Sequence, residues 1–235
     1  MSELPNISIL TPTYNRSKFL PLYIHNLKSQ SYPHNKIEVV IHDDGTEPFC
    51  TYEELKESIK PMKLVYHREV VKKTIGEKRN ELVKKLSTSK IVIFMDDDDI
   101  YLDDYVLYSY DCLKKNKAGL VGSNSMIFCY PEKEFKLTGI KCSALHQIHE
   151  ATMCFTKKYH RSMGGFTKSS RGEGADMIKT QKNNVFNTDI NRCMICVAHE
   201  GNTVDKKQFD NERACLKANY SGEKAEILKR IFFIK

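Results

Sequence analysis

The chain has 235 residues, 40% hydrophobic and 29% charged, with a formal net charge of +7. That length holds one large domain or two small ones. Its apolar runs fall short of the ~18 residues a membrane span needs, and the N-terminus MSELPNISIL lacks the basic and apolar regions of a secretory signal. The eight cysteines are scattered, which points to reduced thiols and a soluble, cytoplasmic protein. Lysines are spread along the chain without a patch that interleaves them with aromatics. Nucleic acid is therefore not an expected partner, and the basic surplus suits an anionic small substrate.

In chain order, NISILT (6–11) reads as a strand. SKFLPLYIHNLKSQ follows with Phe19, Leu20, Tyr23, Ile24 and Leu27 at helical spacing, Ser17 as the expected N-cap and Pro21 early enough to be tolerated. KIEVVIH (36–42) is a second strand, TYEELKESIK a helix and MKLVYH (62–67) a third strand. TIGEKRNELVKKL opens with Thr74 and Glu77, the spacing of a capping box. KIVIFM (90–95) is apolar on both faces, the mark of a central parallel strand. This β-α-β-α-β-α-β order predicts a parallel sheet with right-handed crossovers, whose ligands bind at the carboxyl ends of the strands. Thr11, Asp43, Asp44 and Asp96 to Asp99 all fall there.

In the second half, GLVGSNSMIFCY (119–130) and EFKLTG predict a longer strand and a hairpin. EATMCFTKKY and RCMICVAHEGN predict strands of a mixed sheet, and residues 205–235 a polar helical tail. The expectation is a single α/β domain with a nucleotide-sugar-binding segment (1–104), an acceptor and catalytic segment (105–204) and the tail (205–235).

Four adjacent aspartates, Asp96 to Asp99, end the fourth strand. Two unit charges about 4 Å apart repel by about 4 kcal/mol at an effective dielectric of 20. At the end of a central strand such a run faces a ligand crevice, so a bound hard cation such as Mg²⁺ or Mn²⁺ is the expected reason for it. A calcium loop is excluded, because the sixth position from Asp96 is Tyr101 where glycine is needed. Zinc is disfavoured: on a strand, Cys193 and His199 point to one side and Cys196 to the other.

The stretches ISILTPTYNR, IEVVIHDDGTEP, GEKRNELVKKLSTSKIVIFMDDDDIY and, more loosely, MGGFTKSSRGEGADMI resemble the family 2 glycosyltransferases of the GT-A fold. The resemblance implies a metal-dependent, inverting enzyme with a nucleotide diphosphate sugar as donor, a UDP-sugar being expected. It places Thr11, Pro12 and Tyr14 along the nucleoside and Asp44 on the base. Arg79 would approach the nucleotide, against the alternative of a side chain snorkelling from its helix. Asp96 and Asp97 would reach the ribose, and Asp98, completed by His199, would bind Mn²⁺ or Mg²⁺. Asp99 braces the loop, and Asp103 or Asp104 caps the next helix. The base follows the Gly164-Gly165-Phe166 turn, where the family's adjacent Glu-Asp pair is interrupted. Asp176 is the expected base and Glu173 the runner-up; for either, the alternative is a helix N-terminal acid. His146 and His149 suit acceptor contact or ordinary hydrogen bonding. The rivals are a nucleotidyltransferase, disfavoured because TPTYNR lacks a phosphate-loop glycine, and an inactive nucleotide-sugar-binding module. The acceptor is a glycan, protein or lipid.

Overall fold

The computed structural model describes residues 3–144, 147–178, 184–210 and 222–233. The first hundred residues fold in the expected order: β1 (Ile7–Thr13), α1 (Leu20–Lys28), β2 (Ile37–Asp43), α2 (Tyr52–Ser58), β3 (Lys63–Arg68), α3 (Ile75–Glu81) and β4 (Ile91–Phe94). β2 pairs with β1 and β3, and β1 with β4, all in parallel. Successive residues alternate between two apolar layers. Ile7, Ile9, Val39, Ile41 and Ile93 pack with Tyr23 and Leu27 of α1. Leu10, Val40, Val92 and Phe94 pack with Leu82 and Val83. Both faces are therefore covered by helices, as near-continuous apolar strands require.

Local signals act as written for α3. The Thr74 hydroxyl accepts the Glu77 amide at 3.3 Å, and Glu77 accepts the Thr74 amide at 3.1 Å. Ser17 makes no cap: a 3₁₀ turn over Ser17–Phe19 leads into α1 instead, and Pro21 falls in the first turn of α1.

The second half contributes β5 (Ile100–Tyr101), α4 (Tyr105–Lys115), β6 (Leu120–Gly122), β7 (Ser125–Tyr130), β8 (Lys136–Lys141), β9 (Cys154–Thr156), α5 (Lys157–Ser162), β10 (Val185–Asn187), β11 (Met194–Val197) and α6 (Glu223–Ile231). β9 enters antiparallel between β4 and β6, giving a seven-stranded sheet of order β10-β6-β9-β4-β1-β2-β3. A four-stranded sheet, β5-β11-β7-β8, lies beside it. The long strand expected over 119–130 is two strands in two sheets. The Ser123 amide is taken by the Thr152 hydroxyl and the Asn124 amide by the Asn187 side chain, both at 2.8 Å, so the ladder breaks there. The β7–β8 hairpin forms as expected. Asp104 precedes α4 without capping it and pairs with Arg192, while Asp103 pairs with Lys224 of α6 at 2.5 Å. Among the described residues no helix is long and apolar enough to cross a membrane.

Candidate active site

The carboxyl ends of β1 and β4 open on a cavity of about 520 Å³. Pro12, Tyr14, Arg79, Asp96, Asp97 and Asp98 line it, together with Arg16, Lys72, Lys73 and Lys78. Two expected residues stand behind the wall. The Thr11 hydroxyl is buried, donating to the Met95 carbonyl and meeting the Tyr23 hydroxyl, both at 2.7 Å. Asp44 is buried under the rim, where it accepts Lys78 Nζ and the Lys73 amide, each at 2.7 Å. Lys72 Nζ sits 3.9 Å from the centre of the Tyr14 ring.

The four aspartates have different surroundings and still repel one another: beyond the effect of burial, Asp98 and Asp96 push the Asp97 and Asp99 carboxyls upward. Asp96 faces Arg79 at 3.4 Å. Asp97 Oδ2 is buried without a hydrogen-bond partner. Burial and the neighbouring Asp98 push the Asp97 carboxyl well above its usual range. Asp98 Oδ2 meets His199 Nε2 at 2.9 Å and Arg16 Nε at 3.3 Å. Burial disfavours charge on Asp98, but the hydrogen bond from His199 and the Arg16 cation outweigh it and hold the carboxyl below its usual range. Asp99 braces the loop by accepting the Val197 amide at 2.9 Å.

His199 comes from the end of β11 and reaches Asp98 across 101 residues of sequence. Its Nδ1 accepts the Gly201 amide at 3.1 Å, which leaves the ring hydrogen on Nε2, toward Asp98. Arg79 does not snorkel. It is 4% exposed, with its guanidinium 4.2 Å from the Phe94 ring centre, Nε on Glu173 at 3.0 Å, and Nη1 buried without a partner.

The Gly164-Gly165 turn has φ of 82° and 90°, a conformation that favours glycine. It delivers Phe166 onto Phe94, with ring centres 5.6 Å apart. Beyond it the two expected acids separate. Glu173 is buried and lines an inner cavity of about 140 Å³, which shares Arg16, Arg79, Asp96 and Asp98 with the larger one. Burial raises the Glu173 pKa against the opposing pull of Arg79. Asp176, on the short turn Ala175–Met177, is exposed and lines neither of these cavities. His149, Glu150 and Lys206 also line the inner cavity. Burial lowers the His149 pKa to about 3. His146 lies outside the described residues.

Sequence reading missed Arg16, Lys72, Lys73, Glu150 and Lys206. Arg16 alone carried a signal, as the cation directly after TPTYN. Among the described residues, one group of three side chains has metal-type spacing: His42, His67 and Glu69. It lies away from Asp98, and the Lys73 ammonium already sits 2.6 Å from Glu69 and 2.7 Å from Glu81 there.

This sheet order, with carboxylates gathered at the end of β4 beside a deep cavity, is that of a GT-A nucleotide-sugar fold. The chain matches the family described as Glycosyl transferase family 2 over residues 8–193, and it belongs to that family. TarS from S. aureus in complex with UDP superposes with a TM-score of 0.67 at 16% identity, over 82% of this chain and 60% of that one. TarS with UDP-GlcNAc gives 0.68 at 16%, over 97% and 71%. The mannosyltransferase PcManGT from Pyrobaculum calidifontis, in complex with GDP-Man and Mn²⁺, gives 0.65 at 18%, over 88% and 59%. This chain thus spans about 60% of the length of the first of these. Comparison with curated proteins finds no match.

Proposed function

We propose that this chain moves a sugar from a nucleotide diphosphate donor, a UDP-sugar, to a hydroxyl of a glycan, protein or lipid acceptor, with inversion and with Mn²⁺ or Mg²⁺. The observation that carries the reading is the meeting of Asp98 and His199 at 2.9 Å on the rim of the cationic cavity. The donor set of carboxylate and imidazole suits Mn²⁺. Asp98 and His199 would hold the ion; for His199 this requires the ring hydrogen on Nδ1, and so the Gly201 amide turned away. Bound there, a divalent ion neutralises charge developing on the leaving diphosphate.

The chain's own groups supply the remainder. Pro12 and Tyr14 wall the nucleoside. Lys72 and Arg16 face the diphosphate. Asp96 and Asp97 reach the ribose. Asp44, expected on the base, stands behind the wall with one oxygen on Lys78 and the other on the Lys73 amide, so it serves the nucleoside pocket through those two lining residues. Lys78, drawn down by burial and held by Asp44, stays at the floor of the pocket. The described cysteines are free, which supports a reducing, cytoplasmic setting.

A thermal-shift panel of UDP, UDP-GlcNAc and GDP-mannose, each with Mn²⁺ and with EDTA, tests the reading. A ligand at 100 times its Kd stabilises by about 2.7 kcal/mol. Stabilisation by a sugar nucleotide that requires Mn²⁺ is expected. A panel without any shift overturns the donor reading.

A further inference from the structure

We propose that Glu150, rather than Asp176 or Glu173, is the general base of the transfer; the role rests on the donor reading above. The starting observation is Gly174. Its φ of −87° and ψ of −8° are ordinary right-handed values that any residue adopts, so the backbone does not call for glycine. Space does. A Cβ on Gly174 would stand 2.8 Å from Met153 Cε, 2.9 Å from Glu150 Cγ and 3.2 Å from Glu150 Oε1. The volume that a side chain at 174 would enter is filled by the Glu150 side chain. Glu150 Oε1 also accepts the Gly174 amide at 3.0 Å, which fixes the carboxylate in that place. Directly after Glu173, where an adjacent acidic partner was expected, the sequence has glycine, and a carboxylate from 24 residues earlier stands in the gap.

The other carboxylates of the inner cavity are committed. Glu173 is held by Arg79 Nε at 3.0 Å. Asp96 faces the same guanidinium, and Asp98 is held by His199 and Arg16. Asp99 is buried and braced on the Val197 amide. Glu150 is half-buried; the Arg79 guanidinium feels its charge, but the close contacts of that guanidinium are to Glu173 and Asp96. Its second oxygen is therefore left to accept a proton. Asp176 is exposed and outside this cavity.

The step balances within the two substrates. The acceptor hydroxyl oxygen bonds to the anomeric carbon as its proton passes to the Glu150 carboxylate. The bond from that carbon to the phosphate oxygen breaks, and its electron pair leaves with the nucleoside diphosphate.

Three variants test this, using whichever of UDP-GlcNAc and GDP-mannose stabilises the wild type, and release of nucleoside diphosphate to water or acceptor as the readout. Glu150→Gln preserves the shape and an acceptor for the Gly174 amide. It should lower kcat by a factor on the order of 10² to 10⁴ while donor affinity by calorimetry stays within about twofold. Glu150→Ala empties the space beside Gly174. The double variant Glu150→Ala/Gly174→Asp puts a carboxylate back from the other side of the gap and should recover at least about tenfold of the lost rate. Glu173→Gln and Asp176→Asn should each slow release less than Glu150→Gln. The role is overturned if Glu150→Gln turns over within about threefold of wild type, or if its donor affinity falls in parallel with its rate, the signature of a purely structural contact. A wild type that binds neither donor fails at the earlier stage, and overturns the donor reading together with this one.

Discussion

Two histidine–carboxylate clusters lie near strand ends and behave differently: one within the seven-stranded sheet, the other joining the end of β4 to the end of β11 of the four-stranded sheet. Toward the β3 edge of the seven-stranded sheet, His42 of β2 meets Glu81 of α3 at 3.0 Å and Glu69 at 3.4 Å, and Lys73 bridges both acids. At the end of β4, Asp98 meets His199 and Arg16, but Asp97 Oδ2 and Arg79 Nη1 are left buried without partners. The edge cluster carries its own counter-ion. Both clusters bury unpaired groups, at about 1–3 kcal/mol apiece, His42 Nδ1 at the edge and Asp97 Oδ2 and Arg79 Nη1 at the rim, but of these three residues Asp97 and Arg79 line the 520 Å³ cavity and His42 does not. The difference lies in access: the edge cluster is closed over its own cation, whereas the rim cluster borders a cavity that a ligand can enter.

The largest effect is expected at Asp98. Asp98→Asn should lower turnover by a factor on the order of 10³ and remove most Mn²⁺-dependent binding of UDP-GlcNAc. Calorimetry that finds this binding undiminished moves the ion away from the rim cluster. Asp44→Ala comes next, because it strands the buried Lys78 ammonium. A loss of about 3 kcal/mol in urea unfolding is expected, together with weaker UDP binding in EDTA. If UDP binds both proteins equally there, Asp44 serves the fold alone. His199→Ala should cost 10- to 100-fold in apparent Mn²⁺ affinity, measured by titrating Mn²⁺ at fixed donor; an unchanged midpoint would make His199 only a brace for Asp98.

The smallest effect belongs to the edge cluster. Burial alone would raise the Glu81 pKa, but hydrogen bonds from Lys73, Lys85 and His42 bring it down to about 2 from the model-peptide value of 4.5. A depressed carboxyl pKa contributes stability that is complete above the unfolded value and is lost as pH falls toward the folded one. Stability should therefore decline between about pH 4.5 and pH 2, with Glu81 accounting for about 1–2 kcal/mol after allowance for its solvent exposure. Glu81→Gln should flatten that part of the melting-temperature profile and leave turnover at neutral pH within twofold. An unaltered acid limb would show that Glu81 is not the group responsible.

Sequence by itself determined the parallel half of the molecule. Apolar runs of strand length, helical spacing and the Thr74–Glu77 cap are local patterns, and they set β1 to β4 and α3 because each acts within a few residues. The same patterns brought Asp96, Asp97, Asp98, Pro12 and Tyr14 to one rim, since parallel strands must all end on the same side. The tertiary structure decided what depends on distance in the chain. Ser123 and Asn124 switch the strand between sheets because side chains of Thr152 and Asn187 take their amides, a competition invisible in an apolar run. Arg79 became a buried bridge instead of a snorkelling side chain because Glu173 arrives from 94 residues away to receive it. Glu150 could not be read from its neighbours at all. Its place beside Gly174 follows from volume, and volume is settled only when residues remote in sequence are packed against each other.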